Sequence, residues 1–293
     1  MDVGDLVALG GAACWAMSSV VSRQLAHSLS SAWCNALRCL GGSVFMLLLA
    51  PFLVSVPDFG AIWPWPVILL ATSVILGMGI GDTIFVESIR RIGVSRAMPI
   101  ANTHPFLTAA AAIAVLGEHV SALAFAGMGL VVGGVWQVTR GSSSGGGAGA
   151  GRDLLVGAGL ATMAAMAWTA SSVAVRPALD VIDVPLASLI RLPLASLFMV
   201  TVVTAQVGVA PLRRLGRGHL VLIVALGATS VASSTLYLLA VSLIGVARTA
   251  AINAVAPLCA MPLAVMFLGE RVTPRVLLGT LVSIVGVVLI VQG

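Results

Sequence analysis

The chain contains no lysine and a single tyrosine, and only 9% of its 293 residues are charged. A water-soluble domain carries roughly 25% charged residues, so charge this scarce cannot cover a surface that faces water. Lipid is the solvent this composition implies, and the mean hydropathy of +1.12 agrees. The four cysteines (Cys14, Cys34, Cys39 and Cys259) form no C-x-x-C pair and fall in or beside apolar segments. That spacing excludes a zinc knuckle and a disulfide framework, and leaves cysteine acting as a small hydrophobe. No H-E-x-x-H, G-x-S-x-G, phosphate loop or dinucleotide fingerprint occurs, so no enzyme, cofactor or metal is expected. Asp82 has no second acid beside it in sequence, which argues against the paired carboxylates of an intramembrane protease. The first residues, Met1-Asp2-Val3-Gly4-Asp5, lack the basic start of a signal peptide, so the first apolar segment is expected to remain as a membrane helix.

All fifteen basic residues are arginine, and they lie mainly between apolar segments rather than along one stripe. This excludes a nucleic-acid partner and fits the loops of a polytopic membrane protein. Apolar runs set against polar breaks predict ten segments, near 5–22, 32–55, 67–89, 97–116, 121–139, 154–175, 184–207, 219–241, 249–268 and 275–292. At about 20 residues per membrane crossing, they use the whole chain. Between the fifth and sixth, residues 141–151 are glycine, serine and alanine up to the last glycine, a flexible linker by composition.

The units on either side of the linker, 1–140 and 152–293, match each other. Trp15-Ala16-Met17-Ser18-Ser19-Val20 recurs as Trp168-Thr169-Ala170-Ser171-Ser172-Val173, and Arg23 and Arg38 return as Arg176 and Arg191, all at an offset of 153. Ile92-Gly93-Val94-Ser95-Arg96 recurs as Ile244-Gly245-Val246-Ala247-Arg248, Leu116-Gly117-Glu118 as Leu268-Gly269-Glu270, and Pro105 as Pro257, at an offset of 152. One residue of slippage covers the whole repeat. Chance apolar similarity would not hold rare arginine, tryptophan, glutamate and proline in register. Five crossings per unit force the second to enter the membrane upside down. The expected fold is therefore all-α and integral to the membrane, with ten transmembrane helices as two inverted five-helix repeats, an architecture common among transporters.

The paired stretches Ala97-Met98-Pro99-Ile100…Leu116-Gly117-Glu118…Gly127…Gly134-Val135 and Ala250-Ala251-Ile252…Leu268-Gly269-Glu270…Gly279…Gly286-Val287 resemble the EamA-type branch of the drug/metabolite transporter superfamily. The early tryptophan of each half and the arginines of the second and seventh helices fit the same family. The resemblance spans nearly the whole chain. It implies a secondary transporter, an exporter working by alternating access, for a small molecule such as an amino acid, nucleobase, sugar or drug. Some relatives move lipid-linked sugars, so a flippase is the rival reading, and a polytopic enzyme acting on lipid is a weaker third. Eleven of the fifteen arginines fall in odd-numbered connectors. The positive-inside rule then puts both termini outside the cytoplasm, whereas ten-helix relatives keep them inside, and the orientation stays open. The lysine-free, alanine- and glycine-rich composition suggests a GC-rich bacterial genome, hence a bacterial inner membrane.

Asp82, in Gly77-Met78-Gly79-Ile80-Gly81-Asp82, is the sharpest candidate, because an intramembrane carboxylate faces a cavity or a partner. It is either a proton or substrate-amine site or the partner of an arginine such as Arg38. Its repeat mate is Ser234. Glu87 suits an i,i+4 pair with Arg91 at a membrane interface. His104 and Asn102 lie mid-segment in the fourth helix just before Pro105, where the second half has Ala256 and Ala254; His104 is a proton relay or a cap for a freed carbonyl. Asn253 lies four residues before Pro257. Arg38 and Arg191 read as a symmetric scaffold or as counter-ions for a substrate anion. Trp15, Trp168, Ser18, Ser19, Ser171 and Ser172 form a repeated face, a cavity wall or an interfacial anchor with close packing. Glu118 and Glu270 are expected to be structural, paired with a basic residue or exposed. Gly77-x-x-x-Gly81 and Gly129-x-x-x-Gly133 would allow close helix approach within the bundle or across a homodimer.

Overall fold

In the computed structural model, the structure describes residues 2–25, 28–54, 64–92, 97, 100–141, 151–256, 258–259, 262 and 274–292. These are all helix, turn or short connector. Helix α1 spans Val3–Leu25 and α2 spans Ser31–Leu53. Next comes one long rod, with α3 at Trp65–Val74, a π-helical segment at Ile75–Gly81 and α4 at Asp82–Ile92. Helix α5, His104–Ala111, runs into a second π segment at Ala112–Leu116, and α6 is Ala122–Gly141. The later helices are α7 (Gly151–Val175), α8 (Val184–Val207), α9 (Arg217–Ile244), α10 (Val246–Asn253) and α11 (Pro274–Gln292). Helix starts follow local chemistry. The Ser30 hydroxyl accepts from the Trp33 amide at 3.3 Å, and Asp183 accepts from the Leu186 amide at 3.0 Å, each satisfying a backbone donor that the first turn leaves free.

Among the described residues, six stretches are long and apolar enough to cross a membrane: Val3–Ser22, Ala32–Leu53, Trp65–Ile89, Asp153–Asp180, Val184–Val207 and Arg217–Ile244. Three shorter apolar helices cover His104–Leu116, Ala122–Gln137 and Leu277–Gln292. Outward-facing side chains are apolar; Phe52 is 84% exposed, Leu155 76% and Val221 70%. In water such a surface would aggregate, whereas in a bilayer it is the solvent-matched face. The protein is integral to the membrane.

The interior is built from small residues. Helices α2 and α8 pack together, as do α6 and α11, and α5 and α10, while α1 lies on α9 and α7 on the α3–π–α4 rod. At the α6–α11 crossing a Cβ at Gly127 would collide with the Gly286 carbonyl, and one at Gly134 with the Gly279 carbonyl and Ser283. These contacts are reciprocal at the repeat offset of 152, and between them the Ser283 hydroxyl donates to the Val131 carbonyl at 3.3 Å, joining a residue to its own mate. The same exchange recurs where Gly4 abuts Ile244 and Gly157 abuts Ile92. The expected Gly129–Gly133 approach is different. Gly133 has nothing within 4 Å of a built Cβ and Gly129 meets only Phe106 at 3.9 Å, so these two leave an open face. Gly77 and Gly81 do permit close packing, against Ser171 and Trp168.

The fourth segment breaks where the ninth does. Turns occupy Asn102–Thr103 and Ala254–Val255, again 152 apart. Glu118 follows Gly117, whose φ of 67° suits a residue without Cβ. Its carboxylate accepts from the Val246 amide at 2.8 Å and the Ala247 amide at 3.0 Å, capping α10. It is structural, as the sequence suggests, and among the described residues its partners are backbone amides rather than a basic residue. Pro257, Glu270, the Arg23 side chain and linker residues 142–150 lie outside the described set. The four cysteines are unpaired; Cys34 and Cys39 are buried among apolar neighbours.

Two packing predictions follow from this geometry. Gly134→Val should lower stability by about 1–3 kcal/mol through overpacking, and Gly133→Val should leave it unchanged, read as thermal unfolding in detergent. Glu118→Ala should cost about 1–3 kcal/mol, since two backbone amides lose a charged acceptor, with Glu118→Gln losing less in the same assay.

Candidate functional site

A cavity of about 260 Å³ opens in the middle of the bundle. That volume suits one small molecule, near the lower end of ligand sites. Of the ten residues singled out as candidate site residues, Asp82, Asn102, His104, Asn253, Trp15, Trp168, Ser172, Arg38 and Arg191 line it. Ser19 does not. It is exposed outside the cavity, and its hydroxyl donates to the Trp15 carbonyl one turn back at 2.9 Å. Ser18, its neighbour, takes the cavity position.

Trp168 is the hub of one wall. Its indole nitrogen donates to Asp82 Oδ1 at 3.0 Å, and its ring meets Phe85 edge-on at 5.1 Å and His104 at 5.9 Å. The other carboxylate oxygen of Asp82 accepts from Arg38 Nη2 at 3.2 Å. Arg38 in turn donates from Nε and Nη2 to Asn35 Oδ1, at 3.0 and 2.6 Å. Asn35 was not singled out in the sequence, although its place three residues before an intramembrane arginine, on the same helix face, was the available signal. Ser172 donates to the Trp168 carbonyl at 2.9 Å and accepts from the Tyr237 hydroxyl at 2.7 Å.

The π segment aims Asp82. A π turn is one residue wider than an α turn. The first unit has one more residue than the second between Arg38 and Ile92, since the offset drops from 153 to 152. Trp65–Ile92 and α9 are rods of equal length, so the extra residue lies ahead of the rod, and the two rods differ in that α9 is α-helical throughout whereas the first carries a π turn at Ile75–Gly81. Asp82 is the first residue beyond it.

Other candidates separate into distinct places. Asn102 Nδ2 and His104 Nδ1 are buried, with no hydrogen-bond partner among the described residues, so His104 caps no carbonyl through that nitrogen. Asn253 donates to the Thr249 carbonyl at 3.0 Å, where α10 ends. Glu87 bonds Arg91 at 2.7 Å, and Arg91 reaches Asp153 at 3.4 Å, a surface network away from the cavity. Arg38 and Arg191 match in sequence but differ in surroundings: Arg38 is paired, whereas the buried Arg191 Nε has no partner.

The EamA-like transporter family matches residues 2–140 and 155–292. The chain belongs to that family. EamA proteins are transporters of small molecules and not enzymes, so this EamA chain is a small-molecule transporter. No curated protein matches it in sequence. A solved crystal structure of another protein superposes with a TM-score of 0.81 over 98% of this chain and 95% of its own, at 17% identity. At that identity the likeness establishes the fold alone. Within an EamA fold, the cavity offers aromatic faces for an apolar group, an ion pair, and several serine hydroxyls.

The pair at the hub can be tested directly. Asp82→Leu should destabilise this EamA chain by about 3 kcal/mol, because Arg38 is left half-desolvated with only Asn35. Adding Arg38→Met should recover most of the loss, as measured by thermal unfolding of single and double variants.

Proposed function

We propose that the chain is a secondary exporter of a small polar or amphipathic metabolite, working by alternating access around the central cavity. The observation carrying this reading is a cavity that holds several polar and charged groups inside a lipid-facing bundle, lined by matched residues from the two units of the sequence: Trp15 with Trp168, Ser18 with Ser171, Arg38 with Arg191. Two inverted five-helix units, 1–140 and 152–293, would rock about this cavity. The reciprocal contacts at the α6–α11 crossing and the matched helix breaks support that arrangement. Helices broken beside a ligand free backbone groups that the ligand or its ion can use.

Asp82 is the proposed coupling group. Protonation would discharge its bond to Arg38 and loosen the contact between α2 and α4, while the Trp168 indole would still donate to the acid. No nucleotide-binding motif occurs, so the driving force is a gradient. The setting is a bacterial inner membrane.

Purified protein in proteoliposomes, screened for efflux of amino acids, nucleobases and sugars with and without a pH gradient, tests this. Gradient-stimulated efflux should be reduced by tenfold or more in Asp82→Asn. Efflux equal in wild type and variant would make Asp82 structural and the protein a facilitator. Flux confined to a lipid-linked sugar would make it a flippase.

A further inference from the structure

The two arginines of the cavity are repeat mates with unequal company. Arg38 is held by Asn35 and by Asp82. At the repeat offsets the mates of those two partners are Ser188 and Ser234. Neither bonds Arg191. Ser188 is fully buried with an unpartnered hydroxyl, and Arg191 is 8% exposed with an unpartnered Nε. Among the described residues Arg191 has no ion pair and no hydrogen bond. A guanidinium buried in a lipid-embedded bundle without an anion is costly. The cavity wall therefore carries one positive charge more than its acids balance: Arg38 and Arg191 against Asp82.

The walls differ in bulk as well as charge. Where the first unit places Asn102 and His104, the second places Ala254 and Ala256, and where the first has Asp82 the second has Ser234; all six line the cavity. Each exchange shortens a side chain in the second unit. By the repeat, Ser234, Ala254 and Ala256 correspond to Arg191 as Asp82, Asn102 and His104 correspond to Arg38.

We propose that Arg191 anchors a carboxylate of the transported molecule, which takes the place that Asp82 fills across the repeat, with the body of the ligand over Ala254 and Ala256 and against Trp15. The guanidinium fork suits a planar, two-oxygen anion. Ser234 supplies a hydroxyl to the same group. A carboxylate-bearing small molecule is the cargo class, and this deepens the transport reading above, on which its role as cargo rests.

The test separates binding from transport. Thermal unfolding of the purified protein in detergent is measured with amino acids, lactate and benzoate, each against its own amide, and with inorganic phosphate as a separate arm. At least one carboxylate should raise Tm by several degrees while its amide does not. Arg191→Gln should abolish that shift and Arg191→Lys should retain part of it. Ser234→Asp should also abolish it, by supplying the anion from within, and should leave the ligand-free protein at least as stable, which guards against simple misfolding. No carboxylate distinguished from its amide, discrimination surviving Arg191→Gln, or a response to phosphate alone would each overturn the assignment. The compound that binds is then tested for flux in proteoliposomes. Binding that obeys these rules without flux would sink the transport reading and leave the site standing. Flux of neutral or cationic compounds indifferent to Arg191→Gln would do the reverse.

Discussion

A carboxylate inside a lipid-facing bundle has to be matched by donors, and the placement of Asp82 between Arg38 and Trp168 organises much of the surrounding structure. The guanidinium comes from α2, the indole from α7 and the acid from the start of α4, so one charge ties three helices together. Trp168 reaches Asp82 because Gly81 has no side chain where the indole lies. Asn35 holds the guanidinium from behind, so that Arg38 presents one nitrogen to the acid. Removing any member leaves a desolvated polar group, which is why the cluster behaves as a unit rather than as separate contacts.

Small residues make that proximity affordable in a medium with no hydrophobic drive between helices. Glycine faces at α6 and α11 bring backbones into contact, and alanines fill much of the buried interior. Helices α5 and α10 pack together beside the cavity. The two broken segments meet there, and Asn102 and His104 of one and Ala254 and Ala256 of the other line the same space.

Function concentrates where matched positions stop matching. Tryptophan, serine and arginine recur across the two units and build a common frame for the cavity. Asp82, Asn35, His104 and Asn102 have no polar equal across the repeat beyond serine or alanine. A symmetric frame can exchange conformations at low cost, while unequal chemistry within it gives a ligand one preferred orientation.

Composition, periodicity and repetition determined the membrane setting, the helical class and many of the cavity residues, since hydrophobic solvent and scarce charge leave few alternatives, while the family was read from the resemblance of the paired stretches. Trp15, Trp168, Asp82 and both arginines were legible because polar or bulky residues are rare in such segments. The tertiary structure alone decided which partner each took. A repeat in sequence cannot reveal that Arg38 is neutralised and Arg191 is not, because pairing depends on a neighbouring helix. It could not show that Ser18 rather than Ser19 faces inward, which is a matter of helix rotation. The one-residue slippage was visible as arithmetic, but only the fold revealed the π turn that immediately precedes Asp82. Glu118 looked like a helix terminus in sequence; its role as the cap of a helix 128 residues away arises from packing that no local pattern encodes.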